Sequence, residues 1–69
     1  MTEWTDFVFW VIVEACGGYL LSNRAFDSSD EAYASDEFKN ARGGFKEVEK
    51  TTIAGLKDNY GADFKDMVW

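Results

Sequence analysis

Residues 7–13, FVFWVIV, contain only Phe, Val, Trp and Ile. β-Branched and aromatic side chains suit a pleated surface better than a helix, so this run predicts a β-strand. Gly17 and Gly18 follow, a pair able to take positive φ at both central positions of a tight turn, and residues 19–26 then return. The pattern predicts a β-hairpin over about 7–26. With the turn at Gly17-Gly18, the ladder places Cys16 opposite Tyr19, Ala15 opposite Leu20, Val13 opposite Ser22 and Val11 opposite Arg24. Both faces of the first strand are apolar: Phe7, Phe9, Val11, Val13 and Ala15 point one way, and Val8, Trp10 and Ile12 the other. Such a strand is normally covered on both sides. The C-terminal helices are expected to supply one cover. The other falls to the chain ends (Trp4, Met67, Trp69), to a second copy or to a foreign partner.

A different period begins at Ser28. Ser28 and Glu31 have capping-box spacing, and Asp30 and Glu31 suit the positive end of a helix dipole, so a helix is expected from about Ser29. Ala34, Phe38, Ala41, Phe45 and Val48 follow at spacings of four, three, four and three, an apolar stripe of helical period. Gly43-Gly44 interrupts it at a cost of about 2 kcal/mol relative to alanine. Either one bent helix runs to about Lys50, or a first helix ends at Arg42 and a second begins near Phe45. The break is preferred, because glycine commonly lies just past a helix end. Thr52 is placed to cap a further helix from Ile53 to Tyr60, with Ile53, Leu56 and Tyr60 on one face and Gly61 ending it. Residues 63–69 carry Phe64, Val68 and Trp69 and are too few to assign to helix or strand.

The elements together predict an α+β fold: an N-terminal antiparallel β-hairpin packed against two or three short helices. A single domain is expected over 1–69, with the helical part at about 29–61 and a short C-terminal segment at 63–69. A membrane span fits poorly. The longest mostly apolar run, residues 7–21, falls short of the roughly 18 to 20 residues a bilayer requires, and Glu14 lies in its middle. No Lys or Arg precedes it, as a signal peptide would demand. With Cys16 as the lone cysteine no internal disulfide is available, and the cytoplasm is the expected compartment.

Composition narrows the chemistry. A chain of 69 residues buries only about 60% of its unfolded surface, and the 17% aromatic content raises the area buried per residue. The sequence contains no histidine, which removes Ser-His-Asp and Cys-His arrangements and zinc sites of the Cys/His type. It also leaves Cys16 without an activating base, so a small apolar filler is the expected role. Residues 27–31, DSSDE, lack the central glycine of a calcium loop, and no glycine-rich phosphate cradle occurs. Carboxylates lie in polar sequence with nothing to raise a pKa. The expectation is a non-enzyme with no cofactor and no metal.

Charge supplies the strongest functional signal. The net charge is −6, unevenly divided: residues 1–37 carry eight acids against Arg24 alone, while residues 38–69 carry five acids against six bases. Direct nucleic-acid binding is disfavoured, since phosphate contacts need clustered Lys and Arg. Residues 27–37 hold five carboxylates, Asp27, Asp30, Glu31, Asp36 and Glu37, and no base. On one helix, Asp27, Asp30 and Glu37 would form a row of negative charge. That row is either a solvated, well-capped face or a surface that docks into a basic groove in place of phosphates. Trp69 is a candidate anchor for the same partner. Lys46, Lys50 and Lys57 read as solvated helix residues.

Very small, acidic, proline-poor, aromatic-rich chains of this kind resemble phage-encoded inhibitor proteins, including anti-CRISPR proteins and other DNA mimics. The resemblance covers composition and the acidic stretch 27–37. It implies stoichiometric binding, in the host cytoplasm, to a nucleic-acid-handling protein, steered by charge and sealed by aromatic contacts. The alternative is a small accessory subunit that buries the apolar hairpin face, through Phe9 or Trp10, in a larger assembly or a homodimer.

Overall fold

The computed structural model describes residues 7–68. Trp4 and Trp69 lie outside the described residues. The fold is α+β, as the pattern predicts, with three strands in place of the expected two. Strand β1 (Val8–Glu14) is central, flanked by β2 (Tyr19–Phe26) and β3 (Lys46–Thr52), both antiparallel to it. Helices α1 (Ser29–Ala34) and α2 (Asp36–Asn40) cover one face of the sheet. Helix α3 (Ile53–Tyr60) and a 3-10 turn at Phe64–Asp66 cover the other.

The two-sided hydrophobicity of β1 explains this arrangement. Phe9, Val11 and Val13 pack with Ala25 and Leu56, supported by Ile53, Tyr60 and Phe64. The Phe9 and Phe64 rings lie 5.1 Å apart. On the opposite face Ile12 packs with Phe26 and Ala32, supported by Trp10, Leu21, Phe38 and Val48. Both covers thus come from the chain itself. The cover that the sequence left to the chain ends, a second copy or a partner is supplied by α1 and α2.

Residues 45–50 correct the helical reading. Phe45 lies in a turn, and residues 46–50 belong to β3, in which Val48 pairs with Ile12 and Glu49 with Val11. The stripe in helical phase is accidental here: Phe45 is 67% exposed, and Ala32 is buried where Ala34 was expected. Val48, Thr51 and Thr52 are β-branched, and β1 needs a second hydrogen-bonded neighbour, so tertiary pairing overrides a weak local helical signal. The first break falls earlier than Gly43-Gly44, at Ser35, whose extended backbone (φ −75°, ψ 157°) separates α1 from α2. Lys46 and Lys50 are strand residues rather than helix residues.

The hairpin register also differs from expectation. Glu14 pairs with Tyr19 and Val13 with Leu20, so residues 15–18 form a four-residue loop closed by Gly18 N–H donating to the Glu14 carbonyl at 2.7 Å. Only Gly18 takes a positive φ (+70°), whereas a two-residue turn of the expected type requires one at both glycines. Further along, Val11 pairs with Ala25 and Trp10 with Phe26, so β1 advances two residues while β2 advances five. The resulting bulge puts Arg24 on the same face as Phe26 and the α1/α2 pair, opposite to the face it would take in an unbroken register.

The local caps follow the sequence closely. The Ser28 hydroxyl accepts from Glu31 N–H at 3.2 Å, and the Thr52 hydroxyl accepts from Gly55 N–H at 3.0 Å. Gly61 ends α3 in the left-handed region (φ +66°, ψ 22°). Of the C-terminal segment left unassigned from sequence, Phe64–Asp66 form the 3-10 turn and Val68 makes a short parallel bridge to Arg24. No helix among the described residues is long and apolar enough to cross a membrane.

Candidate functional site

The acidic stretch begins where β2 leaves the core. Phe26 is buried, Asp27 is exposed, and the Ser28 cap starts α1 with Asp30 and Glu31 in its first turn. Ala32 anchors α1 against Ile12 and Phe26. Ser35 then closes one helix and opens the next: its hydroxyl donates to the Ala32 carbonyl at 2.7 Å and accepts from Phe38 N–H at 3.1 Å. Asp36 and Glu37 occupy the first turn of α2. Each carboxylate pair therefore also favours its own helix dipole.

Phe38 holds α2 to the sheet, with its ring 5.1 Å from that of Tyr33 in an edge-on arrangement. Lys46 reaches across from β3 to finish the helix. Its Nζ donates to the Phe38 carbonyl at 2.7 Å and lies 4.9 Å from the Phe38 ring centroid. The last carbonyls of α2 are thus satisfied by a cation where the dipole favours one.

The structure divides the five predicted carboxylates. Glu37 is paired with Arg24, whose guanidinium Nη1 donates to Glu37 Oε2 at 3.0 Å. That hydrogen bond, with a backbone hydrogen bond and the Arg24 charge, holds the Glu37 carboxyl below its ordinary value. Arg24 also stacks over Phe26, with 5.0 Å from its guanidinium carbon to the ring centroid. Asp27, Asp30, Glu31 and Asp36 are all exposed and make no ion pair among the described residues. Asp30 and Glu37, expected on one helix, lie on two short ones separated by Ser35. Trp69 lies outside the described residues, so its place relative to this surface is not defined.

Sequence reasoning missed three polar residues that shape the region. Arg24 is the only base among residues 1–37, yet nothing in the chain signals a partner thirteen residues away. Lys46 gives no sign of its capping role because it arrives from another element. Glu14 is buried at the end of β1, where Oε2 accepts from Phe45 N–H at 3.1 Å and Oε1 is buried without a hydrogen-bond partner. An acid within an apolar strand run is a legible signal for such a tether, and it ties the loop before β3 to the hairpin end. Among the described residues there is no pocket and no group of three or more ligating side chains. Cys16 is exposed in the hairpin loop, not packed as a filler.

Compared with protein-family models, with curated proteins and with solved structures, the chain matches none.

Proposed function

We propose that this chain is a non-enzymatic inhibitor that binds a protein and occupies its basic nucleic-acid groove with the carboxylates of Asp27, Asp30, Glu31 and Asp36. One observation carries the reading. The four are exposed and unpaired among the described residues, while Arg24, the one base of the N-terminal half, is committed to Glu37. None of the four carboxylates is neutralised by an ion pair among the described residues, although Lys39 and Lys46 lie at the far end of α2. Exposed unpaired carboxylates steer a basic partner and are complementary to it. The compositional resemblance to phage-encoded inhibitors of the anti-CRISPR and DNA-mimic type supports the same reading, as does the expected cytoplasmic setting. An accessory subunit joined through Phe9 or Trp10 is less well supported, since Phe9 is fully buried within the chain and Trp10 is partly buried against the Ile12, Phe26 and Ala32 cluster.

The test is capture of partners from host-cell lysate by the tagged protein, washed at about 0.1 M and then about 0.5 M salt, where exposed charge contacts are screened. The comparison is a variant with Asp27, Asp30, Glu31 and Asp36 all changed to Lys, leaving the Glu37–Arg24 pair intact. A stoichiometric nucleic-acid-binding protein that is lost at high salt and absent with the variant is the expected result. A partner that survives both changes would overturn the reading.

A further inference from the structure

The two edges of the sheet are finished differently. On the β2 edge, Ala25 N–H donates to the Val68 carbonyl and Val68 N–H to the Asn23 carbonyl, both at 2.8 Å, so the chain itself covers the Asn23–Ala25 part of that edge. The β3 edge carries no further strand among the described residues. Ala15 N–H donates to the Phe45 carbonyl at 2.8 Å, and bonded and non-bonded positions alternate along an antiparallel pair. Glu47, Glu49 and Thr51 therefore bond inward to Val13, Val11 and Phe9. Lys46, Val48 and Lys50, opposite Glu14, Ile12 and Trp10, turn their backbone N–H and C=O groups outward.

An open edge is a template for strand addition, and its side chains decide which strands fit. Alternation puts Lys46, Val48 and Lys50 on the α1/α2 face and Glu47 and Glu49 on the α3 face. In a two-fold antiparallel pairing with a second copy the faces remain continuous, so Lys meets Lys or Glu meets Glu in each register centred between residues 47 and 50. Like charges directly opposite are destabilising, so self-addition is opposed. The same pattern specifies the strand that does fit.

We propose that the β3 edge docks an extended segment of a partner protein, acidic at the positions facing Lys46 and Lys50 and basic at those facing Glu47 and Glu49. Main-chain bonds to Lys46, Val48 and Lys50 hold the segment, and opposite charges on both faces set its register. This edge adjoins α2 through Lys46, whose Nζ reaches the Phe38 carbonyl, but uses none of the four carboxylates of the proposed function.

Two synthetic strands test it, one with the core Glu-Lys-Val-Lys-Glu and one with Glu and Lys exchanged, both in identical flanks. The matched strand is expected to bind at least about tenfold more tightly at low salt, a difference of ~1.4 kcal/mol. It should slow amide exchange at Val48 and Lys50. A triple variant, Glu47→Lys, Glu49→Lys and Lys50→Glu, should reverse the preference. Lys50→Pro, which removes an outward donor from an edge strand and leaves the inner ladder intact, should abolish binding while the thermal unfolding transition persists. The variant with Asp27, Asp30, Glu31 and Asp36 reversed should still bind, which separates this surface from the acidic one. Equal binding of the two strands, binding of neither, or protection at the β2 edge would overturn the proposal.

Discussion

Gly43 and Gly44 are neighbours in opposite surroundings. A methyl group on Gly43 would press into the Glu14 carboxylate and approach Leu21 Cδ1 at 2.8 Å, whereas Gly44 has open space around it. Gly43→Ala is expected to destabilise by about 1–3 kcal/mol through overpacking. Gly44→Ala should be neutral or stabilise by up to about 1 kcal/mol by restricting the unfolded chain. Urea denaturation of the two variants checks the contrast. The Arg24–Glu37 pair gives a second test at this scale. Because the folded pKa of Glu37 lies below its ordinary 4.5, the pair's contribution is complete above that value and is lost as pH falls through the depressed one. Stability curves of the protein and of Glu37→Gln should differ at neutral pH and converge in acid. Arg24 and Glu37 are also where the sequence was least readable, since a bulge in β2 decides where the guanidinium points.

At the scale of elements, signals carried by adjacent residues were legible and signals carried by distant ones were not. Ser28, Thr52 and Gly61 mark helix ends because a cap involves only a few neighbouring residues. The strand character of residues 7–13 was clear because every side chain in the run favours a pleat. β3 was hidden: Lys46–Thr52 is polar on its exposed positions, and only its pairing along β1 makes it a strand. The spacing of Phe38, Ala41, Phe45 and Val48 imitated a helix across a loop and into a strand. Phe45→Ala discriminates between the two assignments. On a helix stripe facing the core it would cost about 3–5 kcal/mol, as a buried Phe does. At a site 67% exposed it should cost no more than about 1 kcal/mol. Leu56→Ala, at a fully buried site, should cost about 2–5 kcal/mol in the same denaturation series.

For the molecule as a whole, a three-layer arrangement settles how 69 residues accommodate a strand that is apolar on both sides. The first helical pair closes one face and α3 with the C-terminal turn closes the other, so the hairpin needs no partner to shield it. Charge then falls on the outside, with exposed carboxylates that make no ion pair among the described residues on α1 and α2 and an alternating edge at β3. The acidic candidate site was readable as composition, because carboxylates cluster in sequence before they cluster in space. Its division into one paired and four free groups depends on Arg24 arriving from β2. The central claim is that the free carboxylates take the place of phosphates, and competition tests it most directly. With the captured partner purified, its own nucleic acid is titrated into the complex at fixed low salt and release of this protein is followed. Mutually exclusive binding, with release rising as nucleic acid saturates the partner, is the result predicted. A stable ternary complex holding both ligands at once would contradict it.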